Sequence, residues 1–261
     1  MDETLIIVVL FGLVWGSFLN VVIYRLPAGK NIVFPPSACP RCSAKIRPYD
    51  NIPVLSFILL GGRCRRCRAP IPVIYFLVEL LTPFLFVLLY RSFSLTFHFL
   101  TACLFVSAMI VLAFIDLKHQ ILPDTVTLPG IVLAVAYAAF RPELSLRSAL
   151  TASVGGAAFL LLIYWGYYLL RRREGLGMGD VTMIILIGAY LGPVLTVLTL
   201  ILASFIGSIV GAFVLFFGKK DLQFALPFGS FLAPAALIAL LWGLPIIDWY
   251  MALFQLPGPT F

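Results

Sequence analysis

Asp116 closes the apolar run TFHFLTACLFVSAMIVLAFID, and Asp180 ends the stretch Gly175-Leu-Gly-Met-Gly-Asp180 just ahead of VTMIILIGAYLG. An ionisable residue at the edge or interior of a membrane segment is costly and marks a functional site by default. Two carboxylic acids of unequal proton affinity can divide acid and base roles, which is how an aspartyl-type hydrolase activates water near neutral pH. Gly175, Gly177 and Gly179 allow backbone conformations closed to other residues and leave room for a second chain to approach the Asp180 carboxylate. A hydrolase acting on a peptide backbone needs such a gap. Gly177, Gly179 and Asp124 are therefore candidates for substrate approach. Asp124, which follows Pro123, also reads as the cap of a helix beginning near Thr125.

A second set of reactive residues is Cys39-Pro-Arg-Cys42 followed by Cys64-Arg-Arg-Cys67, with 21 residues between the pairs. Two CxxC knuckles at this spacing suit tetrahedral thiolate coordination of zinc. Two disulfides or four free thiols are the alternatives. Four thiolates leave no open metal position, so such a zinc is structural. In a loop of this kind, metal binding would supply the folding energy.

The elements that position these groups are read from composition. Hydrophobic residues are 62% of the 261 and charged residues only 11%, against roughly 25% charged in soluble domains. Several apolar runs reach the roughly 20 residues needed to span hydrocarbon. The expectation is an all-α polytopic membrane protein of about eight transmembrane helices with a small cytoplasmic zinc-binding loop. The first span is TLIIVVLFGLVWGSFLNVVIY, with others at about 73–90, 96–115, 126–140, 148–170, 181–192, 194–217 and 228–254. The first lacks a basic n-region and is too long for a secretion signal. The last is expected to end in an interfacial piece after Pro245 and Asp248. The resulting division is residues 1–24 as first span, 25–72 as zinc loop and 73–261 as membrane-embedded core.

Charge gives the orientation. The connections 25–72, 116–125, 171–180 and 218–227 hold nine, one, three and two Lys/Arg, whereas the alternate set holds only Arg91, Arg141 and Arg147. Cytoplasmic loops carry that excess. Asp116, Asp180 and the cysteines are then expected on the cytoplasmic side, where disulfides are rare. The net charge of +7 is a topological signal that also favours anionic membrane lipids, and nothing in the sequence suggests nucleic-acid binding.

Among polar residues within spans, Glu79 stands about a third of the way into its segment, where a carboxylate needs a partner or a wet cavity. Asn20, in Gly16-Ser-Phe-Leu-Asn20, suits either a small-residue packing face or a substrate contact. Cys103 reads as a buried hydrophobe, and Arg171-Arg172-Arg173 as a topology anchor.

The ordered motifs GSFLNVVIYRLP at 16–27, the paired CxxC, YDNIPVLSFILLGGRCRRC at 49–67, VELLT at 78–82, FIDLKHQILPD at 114–124, GLGMGD at 175–180 and ALPFGSFLA at 225–233 resemble the type IV prepilin peptidases. These are bacterial inner-membrane aspartyl proteases of the GxGD type. The resemblance implies cleavage of the basic leader of prepilins and type II secretion pseudopilins on the cytoplasmic side, with Asp116 and Asp180 as the catalytic pair. It also implies N-methylation of the new N-terminus from S-adenosylmethionine, with Glu79 and Asn20 as candidates for that step. Similar proteins usually carry Arg-Tyr-Pro where this chain has Ile74-Tyr75-Phe76, so a peptidase without methyltransferase activity is the alternative. A proton-coupled transporter would show repeats and midplane acids, and an assembly protein would use the zinc loop only for docking. From helix dipoles, Asp180 at a helix N-terminus is expected as base and Asp116 at a C-terminus as acid.

Overall fold

The computed structural model describes residues 3–141, 144–172, 176–217 and 227–254. Within them the chain forms α1 (Glu3–Arg25), α2 (Leu55–Leu59), α3 (Val73–Phe93), α4 (Phe97–His119), α5 (Asp124–Phe140), α6 (Leu146–Arg171), α7 (Met178–Leu191), α8 (Pro193–Phe217) and α9 (Gly229–Leu253). The described residues hold no strand, only the isolated bridges Ala38 to Lys45 and Arg63 to Pro70. Six helices, α1, α3, α4, α6, α8 and α9, are long and apolar enough to cross a membrane, while α5 and α7 are shorter apolar helices. This is an all-α, multi-pass membrane protein.

The eight segments read from hydropathy are thus six full-length spans and two short ones. The shortest, α7, has 14 residues and a length of only about 21 Å, against roughly 30 Å of hydrocarbon. Its sides explain how it survives there: Asp180, Val181, Met183, Ile184 and every residue from Leu186 to Leu191 are buried. Surrounded by protein, α7 need not match the bilayer by itself. The expected break in the last span is not found. α9 continues through Pro234 and Pro245 to Leu253. Leu232, Ala233, Ala235 and Ala236 are buried around the first proline, where packing lets a membrane helix tolerate the backbone groups that proline frees, while Pro245 is exposed in an unbroken helix.

The chain divides into two compact units, Met1–Val111 and Leu112–Phe261. In the first, α1 lies against α3 at backbone distance. A Cβ on Gly12 would come within 2.6 Å of Pro83 Cα, and one on Gly16 within 3.2 Å of Glu79 Cα. This Gly-x-x-x-Gly pair lets two helices meet without side chains between them. The Trp15 indole N–H then reaches Ser107 Oγ of α4 at 2.8 Å. In the second unit the same device joins α6 to α7, where a Cβ on Gly188 would lie 2.8 Å from the Ser153 nitrogen. The Ser153 hydroxyl donates to the Ile185 carbonyl there at 3.0 Å.

Candidate active site and metal centre

Asp116 lies in the last turn of α4 and Asp180 in the first turn of α7; they are 5% and 6% exposed. Asp180 is held by its own turn. Gly177 precedes α7 in extended conformation, its N–H donates to Asp180 Oδ2 at 3.2 Å, and the Asp180 N–H donates to the Gly177 carbonyl at 3.1 Å. An acid so placed satisfies an otherwise orphaned amide and faces the positive end of the helix. Asp116 is held from a distant part of the chain: its Oδ2 accepts the Ser230 N–H at the start of α9, at 2.7 Å.

Gly229 stands between the two acids. A Cβ there would approach Asp116 Oδ2 to 3.0 Å, while its amide faces Asp180, which also lies in the field of Asp116. Among the described residues no lysine, arginine or histidine pairs with either carboxylate. The acids are therefore positioned by backbone N–H groups without a neutralising cation, and two carboxylates so close cannot both ionise easily. One proton shared between them is the chemistry this geometry allows.

The glycines have different surroundings. Among the described residues, a Cβ on Gly177 would meet Asp180 Oδ2, at 3.4 Å, and the Gly179 nitrogen, at 4.0 Å. Beside Gly179 the room is filled, since a Cβ there would lie 2.7 Å from Leu122 Cβ. Leu122 Cδ1 also sits 2.8 Å from the Cβ position of Gly229, so one leucine is seated against both glycines. Asp124 is the first residue of α5, exposed, with Pro123 in the N-cap position and no side-chain capping bond. The capping expectation is thus corrected: proline's fixed φ starts the helix one residue earlier. Gly175 and Arg173 lie outside the described residues. Leu122, Gly229 and Ser230 were not singled out from sequence, although the last two stand inside ALPFGSFLA.

The four cysteines meet. Their sulfurs all lie within 4.8 Å of one another, Cys39 to Cys67 at 3.8 Å, and all are free thiols. Tetrahedral zinc with Zn–S of about 2.3 Å requires sulfur–sulfur edges of about 3.8 Å, so the cluster fits a metal ion. The two knuckles repeat each other. Cys39 N–H donates to Ala44 O at 2.9 Å and Cys64 N–H to Ala69 O at 2.8 Å, and each loop turns through a residue of positive φ, Ser43 or Arg68. This fold aims amides at the leading sulfurs. The Cys42 N–H, foremost, draws the Cys39 thiol down to about 6, and the Cys67 N–H does the same in direction for Cys64. At Cys67 the Ala69 amide is outweighed by burial and neighbouring thiols, which push it up to about 11. A set of crowded thiols, two of them inclined to ionise, is the state a cation relieves. Arg65 closes the loop with a two-pronged bond to Asp50, at 2.6 and 2.9 Å.

Glu79 forms a third polar node. Its Oε2 accepts the Val54 N–H at 2.7 Å, with Ser17 and Asn20 also facing the carboxylate. Asn20 Nδ2 donates to the Tyr75 carbonyl at 2.9 Å. Asn20 thus belongs both to the α1–α3 packing face and to a polar site. These residues line one end of a cavity of about 860 Å³ that extends past Tyr24, Phe57 and Tyr75 to the cysteine loop.

By fold and site the class is a polytopic membrane peptidase of aspartyl type. Residues 10–93 match the Bacterial Peptidase A24 N-terminal domain and residues 103–212 the Type IV leader peptidase family. The chain is 36% identical to a prepilin leader peptidase/N-methyltransferase of Pseudomonas aeruginosa, over 93% of this chain and 92% of that protein. It is 36% identical to one of Aeromonas hydrophila over 95% and 94%, and 43% identical to one of Myxococcus xanthus over 78% and 61%. No solved structure matches. The chain belongs to the type IV leader peptidase family.

Proposed function

We infer that this enzyme removes the leader from type IV prepilins and related secretion pseudopilins and methylates the N-terminus so exposed. The observation that carries the peptidase reading is the meeting of Asp116 and Asp180, buried and paired with no cation among the described residues, under the first amides of α9. In the reaction the ionised acid takes a proton from water, whose oxygen attacks the scissile carbonyl carbon. The protonated acid gives its proton to the carbonyl oxygen. Return of a proton to the amide nitrogen lets the C–N bond break and frees the new amine. Gly177, whose Cβ position lies in ordinary contact with Asp180 Oδ2 at 3.4 Å, and the turn around Asp124 are where the substrate backbone would approach.

Methylation is assigned to the first unit. Bound S-adenosylmethionine supplies an electrophilic methyl group, and the 860 Å³ cavity falls within the size range of small-molecule sites. Glu79 and Asn20 at its inner end would orient the pilin amine and accept its proton. Ile74 and Phe76 stand where similar proteins carry arginine and proline, and Arg25 lines the same cavity as Asn20 and Glu79. The cysteine cluster is read as a structural zinc site, since four thiolates fill the coordination shell.

The charge distribution supports an inner-membrane location with the dyad facing the cytoplasm, and the division into first span, zinc loop and core at residues 1–24, 25–72 and 73–261 is part of the same proposal. Membrane lipids are its surroundings. Incubating the purified protein with a prepilin and isotopically labelled S-adenosylmethionine, and weighing the product, tests the reading. A product lacking the leader and carrying one labelled methyl is expected. Intact prepilin contradicts the peptidase reading, and cleaved but unmethylated product contradicts the second activity.

A further inference from the structure

Residues 51–62, NIPVLSFILLGG, contain no charged side chain, although the loop 25–72 around them carries nine Lys/Arg. Folding does not hide the apolar residues. Ile52, Leu55, Ile58 and Leu59 are 45%, 57%, 60% and 83% exposed, clustered around the single turn of α2. Such a cluster in water would be a liability.

Two contacts locate it relative to the membrane. Phe57 stacks on Phe76 of α3 with centroids 5.0 Å apart, and Val54 N–H reaches Glu79 Oε2 at 2.7 Å. Glu79 is six residues into α3, about 9 Å along the axis. α3 has 21 residues, about 31 Å, which barely crosses a hydrocarbon core of roughly 30 Å. Its first turn therefore stands at the boundary and the level of Glu79 lies inside. Val73, Leu77 and Leu80 of α3 are likewise exposed, so the apolar face of α2 continues the lipid-facing surface of that helix.

The backbone is equipped to leave water. Ser56, Ile58 and Leu60 N–H groups donate to Ile52, Val54 and Ser56 carbonyls at 3.0–3.1 Å, and Gly62 N–H to Phe57 at 2.8 Å. The Ser56 hydroxyl is turned onto the Ile52 carbonyl at 2.7 Å. Val54, a β-branched residue, adopts φ of +64°, an outlier that persists only when surroundings enforce it. The result is that its amide, which no turn would satisfy, is handed to Glu79. Internally satisfied polar groups are the condition for backbone at membrane depth. Exposed Arg63 and Arg66 follow the segment directly, suited to lipid phosphates.

We propose that residues 52–60 are a wedge inserted into the bilayer leaflet beside the first turns of α3, with phospholipid acyl chains covering Leu55, Ile58 and Leu59. The wedge rests on the multi-pass membrane fold alone and stands whether or not the enzymatic reading does. Its test uses the full-length protein in vesicles of phosphatidylcholine and phosphatidylglycerol, with chains brominated at defined depths. Leu59→Trp and, separately, Leu55→Trp are compared with Lys45→Trp on the first knuckle, each as a difference from wild type. Bound zinc equal to wild type reports an intact loop. The emission added at 59 and 55 should be blue-shifted and mostly lost to bromine near the headgroup end of the chains, while that at 45 is lost to aqueous iodide. Added emission at 59 and 55 that bromine at no depth quenches overturns the wedge, whether iodide or surrounding protein accounts for it. Equal bromine quenching at 45 overturns it as a distinct element.

Discussion

Ser230 and Asp116 are 114 residues apart in the chain, yet the Ser230 amide donates to Asp116 Oδ2 at 2.7 Å. This bond changes the electrostatic argument drawn from sequence. Asp116 at the C-terminal end of α4 faces an unfavourable dipole, whereas Asp180 at the N-terminal end of α7 faces a favourable one. The N-terminus of α9 serves both acids, through the Ser230 amide on Asp116 and the Gly229 amide facing Asp180, so Asp116 too has a positive helix end beside it. The dipole difference of roughly 0.3–1 kcal/mol per end no longer separates the two acids. They act as one coupled pair.

Gly229→Ala should reduce cleavage about tenfold or more, because the new Cβ would crowd Asp116 Oδ2 at 3.0 Å and Leu122 Cδ1 at 2.8 Å, and small misplacements at a reacting centre are costly. Leu122→Ala in the same protein relieves one of the two contacts and should restore part of the loss. A double-mutant cycle on kcat/KM measures the coupling; strictly additive effects would remove Leu122 from the account.

Gly12→Leu should lower the thermal stability of the purified protein. Even a Cβ at position 12 falls 2.6 Å from the Pro83 backbone, and overpacking of this kind costs about 1–3 kcal/mol. Unchanged melting in detergent would mean that α1 and α3 do not pack at that glycine.

The expected positions of spans and acids needed only local information, and so did the cysteine spacing. Long apolar runs announce membrane helices whatever surrounds them, and a CxxC pair carries its own ligand geometry. What escaped was long-range. Nothing in the spacing connects Val54 to Glu79 or Ser230 to Asp116, because both bonds use backbone amides, which every residue but proline has. Leu122 was passed over because an apolar residue near a turn is ordinary until its neighbours prove to be glycines. Asp124 failed as a cap because Pro123 starts the helix earlier, and Pro245 failed as a break because a proline can bend a membrane helix without ending it.

Cys64→Ser should release zinc and open residues 25–72 to protease, since metal-dependent loops lose their fold with the ion. Leader cleavage should persist, with Asp116 and Asp180 in the other compact unit. Elemental analysis, limited proteolysis and a cleavage assay on one preparation check this; full protection of the loop without metal would contradict it.

Glu79→Gln and Glu79→Ala should part company. The glutamine amide oxygen can still accept the Val54 N–H while the negative charge is gone, so methylation should fall with the loop intact. Alanine leaves that amide unpaired, at about 1–3 kcal/mol, and should expose the loop as well. Full methylation by the glutamine variant would exclude Glu79 as proton acceptor.

The central claim is that Asp116 and Asp180 act as one acid–base pair, and its most direct test is the rate of prepilin cleavage by Asp116→Asn, Asp180→Asn and the double variant. Each enzyme should be purified, folded and matched in amount. Each single change is predicted to lower cleavage by at least about 100- to 10,000-fold, and the double variant should be no worse than either. Appreciable cleavage by either single variant, or losses that multiply in the double, would contradict a shared dyad.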